Sequence, residues 1–335
     1  MKRARWIVVG VGAGVGAAIG VGSVVQRQLI RRERARVEPG GEDDFVPPVS
    51  ERTIPTDDGG QIHVVERGQG PPVVLVHGIT LSAAVWGNQL HDLAATHRVI
   101  AIDQRGHGRS LPGTEPADLA RLGTDLLTVL EAMEVRDAVA VGHSMGGMVL
   151  LRLAADRHEA LFERVAGLVL VGTSAGPVSR LPYWAEAAPV VARMAGGQIR
   201  LSQRTGRGLL PSGDLSYLIA RRAFGAHPDP TQVEMTRAII DDTSPLVVAE
   251  LLRDVMSVDL SSDLEKVDLP ALVIVGSKDR LLPPWTARRL AEALPRAELL
   301  TLPGCGHMVM LERPRELTAA IERFSGGIAR DEIPA

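Results

Sequence analysis

Five short runs of apolar, mostly β-branched residues recur along the chain: VVLV at 73–76, VIAI at 99–102, AVAV at 138–141, LVLV at 168–171 and LVIV at 272–275. None alternates with polar residues, so each reads as a strand buried on both faces. Helical stretches separate them. Residues 85–95 (VWGNQLHDLAA) and 146–158 (GGMVLLRLAADRH) are two of these. A third, 118–134 (DLARLGTDLLTVLEAME), carries apolar residues at 119, 122, 126, 127 and 130, a helical period. Strands alternating with helices, the strands apolar throughout, predict an α/β fold: a mostly parallel sheet with helices on both faces. Ahead of them RTIPT and QIHVVER flank the turn DDGG and predict a β-hairpin.

The alternation stops after Gly172. From 173 to 264 the chain has helical pieces (181–195, 215–224, 228–242, 247–256) and no clear strand. That length exceeds a crossover and predicts a helical lid inserted into the sheet domain. The sheet resumes with ALVIVGSKDR, continues through a helix at 283–294 and the strand RAELLTLPG, and closes with a helix at 313–324. The expected organisation is a core in two parts, 51–172 and 265–325, the lid 173–264 between them, and a frayed tail from 326 to 335.

Residues 6–25 (WIVVGVGAGVGAAIGVGSVV) hold no charge and would span about 30 Å as a helix, the thickness of a bilayer core. Lys2, Arg3 and Arg5 precede them; Arg27, Arg31, Arg32, Arg34 and Arg36 follow. A cleaved export signal would show few charges beyond its cleavage site, so residues 1–36 read as a single-pass membrane anchor. The larger basic flank puts the main domain in the cytoplasm. GAGVGA at 12–17 matches a dinucleotide fingerprint, but no strand with a ribose-binding acid follows. Residues 37–50, rich in Pro, Gly and acids, read as a linker.

A net charge of −3 and only ten aromatic residues exclude a nucleic-acid surface or a base-stacking platform. Cys305, the single cysteine, excludes an internal disulfide framework and a thiolate metal cluster.

One strand-to-helix junction carries chemistry. In VAVGHSMGG, Ser144 fits G-x-S-x-G: Gly142 and Gly146 clear a sharp turn that exposes the serine Oγ at the carboxyl end of the strand. A serine hydroxyl needs a base. Of the nine histidines, His307 lies just past the last strand, in a glycine-rich loop. His143 should point away from Oγ and pack beneath the site; His91, His97 and His158 read as peripheral. The base needs an acid, and Asp279 follows the strand LVIV. The alternative acid position, after the preceding strand, reads GTSAGP and has no carboxylate. Oxyanion donors are expected from the N–H of Met145 and, in the HGIT loop set by His77 and Gly78, from the N–H of Ile79, with the Thr80 side chain a weaker candidate.

With HG at 77–78, DQRGHGRS at 103–110, GHSMGG at 142–147, GSKD at 276–279 and GHMVMLERP at 306–314, residues 51–325 resemble the α/β-hydrolase superfamily, in its branch of lidded serine esterases and lipases. The resemblance implies a Ser144–Asp279–His307 triad, a supporting role for Asp103 and Arg105, and no metal or organic cofactor. Epoxide hydrolases and haloalkane dehalogenases of this fold use an aspartate nucleophile, where this chain has serine. Tyr183, Tyr217 and His227 of the lid are candidate substrate-wall residues. The lid carries Leu, Val, Ile, Met and Trp without strong charge clustering, so the expected partner is a small ester with an apolar portion. The same triad also serves thioesters, lactones, C–C bonds beside a ketone and perhydrolysis. A non-enzymatic binding module of this fold usually lacks a triad position. No obligate protein partner is evident.

Overall fold

The computed structural model describes residues 50–181 and 214–331, with residues 193, 196 and 197 between them. The predicted anchor, residues 37–49 of the predicted linker, and Tyr183 lie outside the described residues.

The hairpin opens the described chain: β1 (Ser50–Pro55) pairs antiparallel with β2 (Gln61–Arg67). Ser50, assigned from sequence to the linker, is already strand. β3 (Pro72–Val76) leads to α1 (Gly87–Asp92), which has a short 3-10 turn at each end. Then come β4 (Arg98–Ile102), α2 (Leu119–Ala132), β5 (Ala138–His143), α3 (Met145–Asp156), α4 (His158–Phe162) and β6 (Val165–Val171). The inserted segment contributes α5 (Asp214–Ala223), α6 (Pro230–Asp242) and α7 (Pro245–Ser257). The core closes with β7 (Ala271–Gly276), α8 (Pro284–Ala293), β8 (Ala297–Leu302), α9 (Val309–Glu312) and α10 (Pro314–Asp331). Four helices, α6, α7, α8 and α10, start on a proline, whose missing N–H is not needed in a first turn. The Asp118 side chain caps α2 by accepting from the Arg121 N–H at 2.7 Å.

The eight strands form one sheet in the order β1-β2-β4-β3-β5-β6-β7-β8. Pairing is antiparallel up to β4 and parallel beyond it. The apolar runs divide between two core layers with period two. Val74, Val76, Ala140, Leu168, Leu170, Val273 and Val275 face one side. Val73, Leu75, Val139, Val141, Val169, Val171, Leu272 and Ile274 face the other. Burial on both faces is what made these runs read as unbroken apolar stretches.

The inserted helices are bound into both layers. Tyr217 and Phe224 of the α5 region pack into one, and Val247, Leu251 and Val255 of α7 into the other. Asp254 and Glu250 of α7 accept the N–H groups of Leu119 (2.7 Å) and Ala117 (3.0 Å) at the start of α2. The Leu260 N–H bonds the Ala175 carbonyl at 2.8 Å, so the excursion leaves and returns at one point beside β6. At the other end α10 runs on to Asp331, past the expected start of a tail at 326. Ile328 explains the extension: with Phe324 it lies over Gly167 of β6, where a Cβ would come within 2.4 Å of Ile328 Cδ1. No helix among the described residues is long and apolar enough to cross a membrane.

Candidate active site

Ser144, Asp279 and His307 follow the carboxyl ends of β5, β7 and β8, and among the described residues no hydrogen bond joins Ser144 to the other two. Ser144 ends β5 with φ +51° and ψ −117°, a conformation rarely open to an L residue. Its surroundings enforce it. The Ser144 N–H donates to the Val171 carbonyl at 2.9 Å. Its carbonyl accepts from the Gly147 N–H (3.0 Å), the Met148 N–H (3.2 Å) and the Thr173 hydroxyl (2.7 Å). The flanking glycines are required by space: a Cβ on Gly146 would lie 2.3 Å from the Val76 carbonyl oxygen, and one on Gly142 would lie 2.6 Å from the Gly147 nitrogen. Residue 144 is half-buried.

Asp279 and His307 are joined: Nδ1 of His307 lies 2.7 Å from Oδ2 of Asp279. The other carboxylate oxygen accepts the N–H groups of Leu281 and Leu282, both at 2.9 Å. Both side chains are buried. A carboxylate only accepts, so Nδ1 carries the proton and Nε2 presents a lone pair. Gly172 makes room for this pair at the end of β6; with φ +52°, a Cβ there would meet His307 Nδ1 at 3.3 Å and Asp279 Oδ2 at 3.5 Å. The His143 ring, next to Ser144 in the chain, lies against the His307 ring, tilted 55° to it with the centroids 4.7 Å apart.

The predicted oxyanion loop follows β3. His77 donates from Nδ1 to the Gly78 carbonyl (2.7 Å), and its Nε2 accepts the Gln104 N–H (2.9 Å). Gln104 returns a bond from its amide to the His77 carbonyl. Thr80 turns the loop with φ +59°. Its N–H donates to His107 Nε2 at 3.2 Å and its hydroxyl to the Ile79 carbonyl at 2.7 Å. The Thr80 groups are thus committed to the loop itself. Among the described residues neither the Ile79 nor the Met145 N–H donates a hydrogen bond. Gly78 sets this loop against the serine: a Cβ there would lie 3.1 Å from Ser144 Cβ.

Asp103 and Arg105 tie loops, as expected. Asp103 accepts from the Ala83 N–H (2.7 Å), the Arg109 N–H (3.0 Å) and His63 Nδ1 (2.9 Å). Burial works against its charge, but the His63 bond and the two amides outweigh it and hold its pKa below the usual carboxylate range. The fully buried Arg105 guanidinium pairs with both Asp58 and Asp125. The lid candidates fare differently. Tyr217 is 1% exposed inside the apolar layer, and His227 is exposed on the turn between α5 and α6. His91 and His158 are exposed, and His97 bonds Thr96 and Ser325, away from the site. Burial pushes the Cys305 thiol up to about 12, which leaves it protonated and unreactive. A cleft of about 370 Å³ opens between the loop after β6 and α8, walled by Arg180, Leu181, Trp285 and Arg289; Ser144, Asp279 and His307 do not line it.

Residues 73–321 match the alpha/beta hydrolase family. The chain belongs to that family. It is 30% identical to Epoxide hydrolase A of Mycobacterium tuberculosis over 83% of this chain and 98% of that protein. It is 28% identical to the pimeloyl-[acyl-carrier protein] methyl ester esterase of Nitrosomonas europaea, over 78% of this chain and 98% of that one. A thermophilic esterase from Thermogutta terrifontis superposes with a TM-score of 0.70 at 27% identity, covering 83% of this chain and 99% of its own. Among α/β-hydrolases the chain thus stands close to the esterase- and lipase-like enzymes.

Three supports of this candidate site escape sequence reasoning. His107 holds the Thr80 N–H while its own Nδ1 donates to the Arg105 carbonyl; burial, with His77 beside it, pushes its pKa down to about 3, so it stays a neutral acceptor. Gln104 brackets His77, and Thr173 holds the strained carbonyl of Ser144. His107 and Gln104 lie within DQRGHGRS, so the motif pointed at the loop, but only the fold shows which of its side chains reach the site.

Proposed function

We propose that this α/β-hydrolase cleaves carboxylic esters with an apolar portion through an acyl-enzyme on Ser144. The observation that carries the reading is the Asp279–His307 hydrogen bond, which leaves Nε2 of a neutral His307 free to act as a base at the sheet edge that also carries Ser144. His307 takes the Ser144 proton, and Oγ attacks the ester carbonyl. The N–H groups of Ile79 and Met145 receive the oxyanion; both lack another acceptor among the described residues. His307 then protonates the leaving alcohol, and a water activated by the same imidazole releases the acid. Asp279 stays ionised and stabilises the imidazolium. The serine at position 144 separates this chemistry from that of epoxide hydrolases, whose nucleophile is aspartate. The ester-cleaving relatives from Nitrosomonas and Thermogutta support the substrate class. On this reading 173–264 acts as the lid, and residues 1–36 form a membrane anchor with the domain on its cytoplasmic side, supported by the uncharged run and its basic flanks.

The test is covalent. A fluorophosphonate ester should label wild-type protein stoichiometrically and leave Ser144→Ala unlabelled. Turnover of p-nitrophenyl esters should vanish in the variant with the fold retained, apart from a residual of about 10³-fold over water. Ester hydrolysis by Ser144→Ala at the wild-type rate would sink the assignment. A parallel panel with a thioester, a lactone and a triglyceride emulsion ranks the substrate classes.

A further inference from the structure

His143 sits where three parts of the site meet, and its hydrogen bonding is lopsided. The ring is 1% exposed. Nε2 lies 3.0 Å from the His307 carbonyl oxygen. A carbonyl only accepts, so the proton is on Nε2 and Nδ1 is a bare lone pair. That nitrogen is buried without a hydrogen-bond partner. It faces the loop after β3: a Cβ on Gly78 would stand 2.9 Å from it. An apolar side chain would fill this space without an orphan nitrogen, and a buried polar atom left unpaired is destabilising. The histidine is therefore a poor choice for packing alone. What it alone supplies is a donor to the main chain of His307.

We propose that His143 is a positioning residue for the reaction of Ser144 with His307, an uncharged imidazole that pins the His307 carbonyl from beneath. The inference rests on the reading of Ser144 as nucleophile. The rest of His307 is held from other directions. Its N–H donates to the Ala223 carbonyl at the end of α5, at 2.7 Å, and its Nδ1 is held by Asp279. With both peptide groups and one ring nitrogen fixed, the His307 ring keeps a single orientation. A misplacement of about 1 Å in such a pair lowers rates by about 10²-fold. Neutrality of His143 also matters, because a second cation 4.7 Å from the His307 ring would oppose the imidazolium of the transition state. Burial, with the His307 and His77 rings nearby, holds its pKa well below the usual histidine value.

The experiment uses the full chain in detergent and measures kcat, KM and the rate of fluorophosphonate labelling for two variants. His143→Phe keeps a ring and removes the donor; His143→Gln restores an N–H donor. The Phe variant should lose about 10- to 100-fold in kcat and labelling rate with KM within about twofold of wild type, and the Gln variant should stay within about threefold on all three. A Phe variant as fast as wild type, or a Gln variant as slow as Phe, overturns the proposal, because a merely structural role would not follow the donor. If His143→Phe does not fold, His143→Leu takes its place in the same comparison. Wild-type protein that never labels overturns the nucleophile itself and this inference with it.

Discussion

A backbone with φ +51° and ψ −117° at a non-glycine residue costs about 1–3 kcal/mol, and Ser144 keeps it because four hydrogen bonds and two close glycines hold it there. The acid partner is equally constrained. Asp279 Oδ1 takes two amide N–H groups, so in Asp279→Asn the amide oxygen stays on those donors and the NH₂ turns toward His307. Nδ1 must then accept, which moves the proton to Nε2 and removes the base. Asp279→Asn is expected to keep its circular dichroism spectrum and lower kcat by about 10²–10⁴-fold with little change in KM. Asp241→Asn and Asp242→Asn, at the end of α6, should stay within a few-fold of wild type. A loss below about fivefold at Asp279, with collapse in either α6 variant, would show that the acid has been misplaced.

The buried charges join two loops to a helix. Arg105, on the loop after β4, pins the hairpin turn through Asp58 and α2 through Asp125, and Arg121 adds a bond to Asp58. The Arg105 guanidinium, acting against burial, holds the Asp58 carboxyl far below the usual range. For Asp125 burial outweighs the same arginine and raises the pKa, so of the two carboxyls only Asp58 contributes stability that is lost as pH falls. A carboxyl with a depressed folded pKa stabilises fully above its unfolded value, about 4, and loses that contribution as pH falls toward the folded value. Asp58→Asn should therefore be about 3–5 kcal/mol less stable than wild type at pH 7, since it leaves a buried arginine half-paired. Urea unfolding at falling pH should show that gap narrowing below about pH 4; a gap that stays constant would remove Asp58 from the account of acid stability.

For the whole molecule, the outstanding question is how the hydrolase domain is held in the cell. If residues 1–36 anchor it, full-length protein should sediment with membranes and survive high-salt and carbonate washes, while deletion of residues 1–45 should release soluble, active enzyme. Full-length protein in the soluble fraction, or trimmed near residue 30, would refute the anchor. Much of the domain was legible beforehand. Strands buried on both faces leave unbroken apolar runs, a helix packed on one side leaves a 3.6-residue period, and a serine forced into a disallowed turn needs glycines around it. Those patterns are local, so the amino-acid sequence alone determined the parallel sheet, the inserted helical segment and the positions of Ser144, Asp279 and His307. Contacts between distant segments leave no such period. Only the tertiary structure decided that α10 continues to Asp331, because the reason is Gly167 on β6. It alone decided that Tyr217 belongs to the core, and that Thr173, His107 and Gln104 hold the elbow and the loop beside it. A hydrogen bond between residues far apart in the chain depends on where the strands and loops carry them, and the residue types at its two ends do not record that path.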